Sequence, residues 1–184
     1  ARSSGDFDAV GMAEDHGIWC VAVMYFRGGR SLGSRNFFPK LVKGADEDEI
    51  IRAFLLQYYA GREAPKEILV SRAVPEAATL AELLSEQSGR KVAIKARVRG
   101  DRARFVAMAV TNARHGAELK YQASASLESQ LEALAEALEL GEAPTRLECF
   151  DVSHTGGEAT VASCVVFGPE GARKSDYRRL NVTD

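Results

Sequence analysis

Asp151 stands in the run Cys149-Phe150-Asp151-Val152-Ser153-His154, where strand alternation would put Cys149, Asp151 and Ser153 on one face. A carboxylate in that position is a hard oxygen ligand of the kind Mg²⁺ or Mn²⁺ prefers. Metal-assisted hydrolysis of a phosphodiester needs several carboxylates converging on one point, so Asp151 alone is not a site, and a solvated or capping role stays open. Ser153 and His154 follow closely enough to support a metal ligand from behind, although the His154 ring could equally bond a local backbone carbonyl. A second concentration of chemistry is Arg97-Val98-Arg99-Gly100-Asp101-Arg102-Ala103-Arg104, four arginines around a helix start that Asp101 is placed to cap. Guanidinium forks on Arg99, Arg102 and Arg104 suit phosphates, or local ion pairs. Smaller basic groups lie at Arg30, Arg35 and Lys40 and at Arg173, Lys174, Arg178 and Arg179, where solvated strand edges compete with phosphate contacts. Phe37 and Phe38, before Pro39, read as core rather than as platforms for stacked bases. The sequence has no P-loop, no G-x-G-x-x-G and no G-x-S-x-G, which leaves nucleotide hydrolysis and serine chemistry without support.

These groups need a scaffold. From Asp6 to Lys40 short apolar runs alternate with turn residues, which predicts a three-strand antiparallel meander with Gly28-Gly29 at one turn. Its middle strand, IWCVAVMYF, is apolar on both faces and should be covered twice. Acidic residues 46–49 suit a helix start, Ile50, Ile51, Phe54, Leu55 and Tyr58 repeat at helical spacing, and Gly61 ends the helix. A short strand at 67–71, a helix at 79–89, a strand at 91–98 and a helical region from about Asp101 to Leu140 follow, the last with a possible break at His115-Gly116. After Pro144 the pattern restarts: RLECFDVSH, a turn at Gly156-Gly157, EATVASCVVF, a GPEG turn and ARKSDYRRLNV form a second meander. Laying the copies together pairs Val23–Phe26 with Cys164–Phe167 and Val10-Gly11 with Phe150-Asp151, with one residue of slip in the turn. The second copy has an acid where the first has Val or Gly. The order βββαβαβα is that of a mixed α/β sheet and is shared with the ribonuclease-H-like fold. We therefore expect a degenerate ribonuclease-H-like domain without a metal site over residues 1–142, followed at 145–184 by the opening three-strand meander of a second such domain.

Composition limits the alternatives. The 184 residues are 46% hydrophobic and 27% charged, and 24 Lys+Arg against 26 Asp+Glu give a formal net charge of −2. This excludes collagen-like and disordered chains and gives no overall electrostatic case for nucleic acid. Apolar runs are interrupted by Arg27, Arg30, Arg35 and Lys40 well before the roughly 18–20 residues a membrane span needs. The start, ARSSGDFDAV, has neither an initiator Met nor a signal-peptide pattern and reads as an excised segment. Cys20, Cys149 and Cys164 are too scattered for a disulfide framework or a C-x-x-C metal site and are expected to be reduced core thiols.

Three stretches carry a resemblance: LGSRNFFPK at 32–40, RGDRARFVAMAVTNA at 99–113, and ECFDVSHTGGEATVASCVVF at 148–167 followed by YRRLNV at 177–182. Together they make the chain similar to the UvrC family, the nuclease subunit of the bacterial excinuclease ABC, which makes dual incisions in nucleotide excision repair within the SOS response to DNA damage. The resemblance implies an internal piece of that subunit, without the family's GIY-YIG nuclease, UvrB-binding segment or helix-hairpin-helix motifs. It also implies that Asp151 matches the first catalytic acid and metal ligand of the family's 5′ endonuclease, with Mg²⁺ or Mn²⁺ as cofactor. The family's further acids, in GDDY-like and LIDGG-like stretches, and its later His would fall after Asp184, so this segment alone is expected to be inactive and to hold no metal stably. The implied partners are damaged double-stranded DNA, UvrB on that DNA and UvrA indirectly, in the bacterial cytoplasm with no membrane. Arg99, Arg102 and Arg104, with Arg35, Lys40, Arg178 and Arg179, are then the DNA-binding candidates. The competing reading is a protein–protein module that contacts UvrB or orients the nucleases without touching DNA.

Overall fold

The computed structural model describes residues 5–40, 45–155 and 159–182, so the expected Gly156-Gly157 turn lies outside the described residues. The chain divides into two compact units, residues 1–120 and 121–184. In the first, β1 (Phe7–Asp15), β2 (Ile18–Arg27) and β3 (Arg30–Phe37) form the meander, followed by α1 (Glu47–Tyr59), β4 (Glu67–Val70), α2 (Ala77–Ser88), β5 (Ala93–Lys95) and the start of α3 (Asp101–Ala137). The sheet order is β3-β2-β1-β4-β5, antiparallel through the meander and parallel from β1 to β4 to β5. This is the mixed α/β sheet expected.

The period-2 pattern of β2 explains its double cover. Val21 and Val23 pack with Ile50, Ile51, Leu55 and Tyr59 of α1 and Leu80 and Leu84 of α2. On the other face Met24 and Phe26 join Phe7, Ala9, Val106 and Ala109, while Cys20 and Ala22 meet Ala113 and Ala117 of α3. Helix α1 starts with a capping box in which Asp46 accepts from the Glu49 amide and Glu49 accepts from the Asp46 amide.

The structure corrects three local expectations. Helix α3 runs through His115-Gly116 without a break. Gly116 serves close approach instead: a Cβ there would lie 2.4 Å from Asn36 Nδ2 and 3.0 Å from Cys20 Sγ. Asp101 is the first residue of α3 rather than its cap. Strand β5 covers only Ala93–Lys95, because Val92 is drawn into the helix-side core with its N–H donating to Ser85 Oγ at 2.9 Å. The C-terminal part of α3, with Leu131 and Ala135 buried, falls in the second compact unit, which begins at Tyr121.

In the second unit β6 (Leu147–Thr155) and β7 (Ala159–Gly168) are antiparallel. Strands β8 (Gly171–Ala172) and β9 (Arg178–Val182) both pair with β7, separated by a 3₁₀ turn at Lys174–Asp176. Among the described residues β6 is an edge strand. Arg146 joins its start to that turn through Glu148 and Asp176, each at 2.7 Å. No described helix is long and apolar enough to cross a membrane.

Candidate metal and nucleic-acid site

Strand register decides what Asp151 shares a face with. Asp151 lies opposite Ser163, and Ser163 lies opposite Arg179, so the three form one row across β6, β7 and β9. Residues directly opposed in a sheet point to the same side, and neighbouring strands are about 4.8 Å apart. Cys149 and Ser153 share this face by alternation. Asp151 and Ser153 are exposed. Cys149 is exposed as well, against the expected core thiol, because it sits on the edge strand, while Cys164 on the opposite face is buried. Arg178 pairs with Cys164 and so belongs to the other face, where its Nη1 donates to the Ser175 and Tyr177 carbonyls at 2.9 Å. His154 lies on β6 opposite Thr160, but its side chain is outside the described residues.

The first sheet has a counterpart for this row. Val10 faces Val23 and Gly11 faces Ala22, just as Phe150 faces Cys164 and Asp151 faces Ser163. The registers therefore equate Gly11 with Asp151. A Cβ on Gly11 would lie 2.2 Å from the Val110 nitrogen and 2.3 Å from the Ala109 carbonyl carbon. The backbone of α3 occupies the space a side chain would need, so this position cannot carry an acid. The one buried acid of the first sheet, Asp8, faces the other way and is 2% exposed. It accepts from Arg27 Nη1 and from the Tyr59 hydroxyl, both at 2.7 Å. Burial and the Asp8 charge push the Tyr59 hydroxyl well above the usual tyrosine range, which keeps it a donor. Asp8 is thereby satisfied as an internal ion pair. Among the described residues no three His, Cys, Asp or Glu side chains converge as a metal site. Asp151 is the carboxylate of the Asp151–Ser163–Arg179 row.

The arginine cluster separates into two kinds. Arg102 is turned inward, 2.6 Å from Glu67 Oε2 and with its guanidinium 5.7 Å from the Phe7 ring centroid. Burial raises the Glu67 carboxyl, but hydrogen bonds from Arg102 and Lys95 outweigh it and hold the group below the usual range. Arg104 is 82% exposed and lies 3.8 Å from Asp101, and Arg99 is exposed. Arg35 and Lys40 are exposed on the edge strand β3 and just after it, far along the chain from that cluster.

One feature escaped the sequence. A cleft of about 960 Å³ between the end of β3 and α1 is lined by Phe37, Phe38, Lys40, Phe54, Tyr58 and Arg62 among others. Phe37 is half-buried and packs against the helix-side core as expected, whereas Phe38 is 42% exposed and does not. The edge position of β3 leaves them one open side. Phe54, Tyr58 and Arg62 recur every fourth residue, a spacing from which this row was readable.

Residues 6–120 match the family model of the UvrC ribonuclease H-like domain, and residues 135–184 match that of the UvrC RNase H endonuclease domain. UvrABC system protein C of Alkalilimnicola ehrlichii is 48% identical over 178 residues, covering 97% of this chain and 29% of the relative. The protein of the same name from Ectopseudomonas mendocina is 48% identical over 182 residues, covering 97% of the chain and 30% of the relative. That of Pseudomonas putida KT2440 is 47% identical over 184 residues, with 98% and 30% covered. The chain thus spans about 30% of the length of the curated relatives it matches.

Proposed function

This chain belongs to the UvrC family, and on that premise we propose that its parent is the incising subunit of a UvrABC excinuclease acting on damaged DNA in the bacterial cytoplasm. Asp151 contributes one ligand for a divalent cation in the 5′ endonuclease, and the remaining ligands come from parts of the parent outside this chain. When bound, such a cation polarises a phosphoryl oxygen and lowers the pKa of its water. Arg179, on the Asp151 face, is suited to hold the phosphate. The first unit is a non-catalytic partner that holds DNA through Arg99 and Arg104, with Arg35 and Lys40 as further contacts, alongside UvrB and, indirectly, UvrA. The observation that carries this reading is the contrast at one register position: Asp151 is exposed, whereas Gly11 is sealed beneath α3.

The test is titration of a labelled damaged duplex with the chain at low and moderate salt, with Mg²⁺ present and cleavage read in the same samples. Binding without cleavage is expected, and Arg99→Ala and Arg104→Ala should each reduce the slope of log K against log salt by about one. Absent or salt-insensitive binding would move the first unit to protein–protein contacts. Cleavage by the chain would overturn the claim that its ligand set is incomplete.

A further inference from the structure

We propose that the cleft between β3 and α1 in the first unit is a binding site for an unstacked base of single-stranded DNA, a role more specific than the duplex contact above and resting on that DNA-holding reading. Its floor is aromatic. Phe54 and Tyr58 stack with centroids 5.3 Å apart and planes 14° apart, and Phe37 meets them at 5.4 and 5.1 Å. Phe38 stands at the rim with 42% of its surface exposed. An exposed ring beside a stacked pair is what a splayed base uses, because every base has a π-face and base–aromatic stacking tolerates any sequence. The cleft volume of about 960 Å³ is at the upper end of the range that encloses small ligands, about 300–1,000 Å³.

The charge around the floor matches the phosphates flanking such a base. Arg62 lies over Tyr58 at 4.7 Å, Arg35 over Phe37 at 5.5 Å, and the Lys120 ammonium 6.0 Å from Phe38, while Lys40 lines the wall. Among the described residues no carboxylate lies within ion-pair distance of Arg35, Lys40 or Arg62. The acid in the lining, Glu49, is engaged in the α1 capping box, where Glu49 Oε2 accepts from the Asp46 amide at 3.3 Å. A cationic rim over an aromatic floor selects an anionic, flat-ringed chain over an apolar protein segment.

The experiment titrates the chain with a short oligothymidylate carrying one 2-aminopurine, and with the same sequence fully paired, reading fluorescence quenching and anisotropy. Expected is quenched binding of the single strand that Phe38→Ala weakens about tenfold or more, the loss of one stacked base at ~1–3 kcal/mol. Phe38→Trp, which keeps a ring, should retain binding, and a thermal melt of each variant guards against misfolding. Duplex binding should not respond to Phe38→Ala. Wild-type binding of the single strand by a folded Phe38→Ala would overturn the proposal and leave the cleft to an apolar protein segment. If duplex binding in that case still responds to Arg104→Ala, the DNA-holding reading survives; if the chain binds neither strand form at low salt, both fall.

Discussion

Substituting Gly11 by alanine tests the claim that a helix has taken the place of a metal site. The added Cβ would sit 2.2 Å from the Val110 nitrogen and 2.3 Å from the Ala109 carbonyl carbon, against ordinary contacts of 3.4–4 Å, so α3 must retreat by more than an ångström. It cannot do so locally. Ala109, Ala113 and Ala117 are fully buried along the same helix face, and Val106 is nearly so. Overpacking in a closed core costs about 1–3 kcal/mol, and a collision with backbone on an element pinned along four residues belongs at the top of that range, about 3 kcal/mol. Urea unfolding followed by the fluorescence of Trp19, the single tryptophan, reports this unit directly, since Trp19 lies on β2 against the core. Gly11→Asp should fall further still and gain no affinity for Mn²⁺. Asp151→Ala, at the matching but exposed position, should stay within about 0.5 kcal/mol of the parent. An unchanged Trp19 midpoint in Gly11→Ala would mean that α3 does not close over β1, and the explanation for the missing acid would fail.

Removal of the Tyr59 hydroxyl by Tyr59→Phe deprives buried Asp8 of one of its side-chain donors and should lower stability by about 1–3 kcal/mol in the same urea assay. The depressed carboxyl of Glu67 contributes stability that is present above its unfolded value, near 4.3, and is lost as the pH falls through the lower folded value. Glu67→Gln should therefore destabilise the first unit at pH 7 and converge on the parent as the pH falls through the depressed folded value of Glu67; a difference that stays constant on acidification would refute the pairing with Arg102 and Lys95. Burial pushes the Cys20 thiol up to about 11, so iodoacetamide at pH 8 should modify exposed Cys149 in the native chain and spare Cys20 and Cys164 until urea unfolds it, as peptide mapping would show.

Much of the scaffold could be read from alternation and spacing, because β2 is apolar on both faces and α1 repeats its apolar residues at helical intervals. The repeat was legible too: pairing Val10-Gly11 with Phe150-Asp151 agrees with the registers found. What escaped depended on neighbours distant in sequence. Gly116 reads as a helix breaker in isolation, and only the approach of Asn36 and Cys20 explains it. Arg102 looks like its neighbours Arg99 and Arg104 until Glu67 is placed beside it. Phe38 looks like core alongside Phe37 because an apolar pair before a proline says nothing about whether its strand is an edge. At the candidate site the sequence singles out Asp151 by residue type, but that Arg179 rather than Arg178 shares its face follows only from the alignment of β9 on β7.

The edge position of β6 has a colloidal consequence. In the first sheet β1 is flanked by β2 and β4, whereas β6 pairs only with β7 among the described residues. Natural edge strands discourage cross-chain pairing with lysine, proline or a bulge. Leu147–Thr155 contains neither lysine nor proline, pairs with β7 without an interruption in register, and exposes Phe150 at 56% and Val152 at 52%. Glu148 and Asp151 are its only acids, so the residue we propose as a cation ligand also helps keep two copies of this strand apart. Neutralising Asp151 would thus lower the concentration at which the chain remains dispersed, and a variant that tests its proposed role is better made by exchanging its charge for another than by removing it.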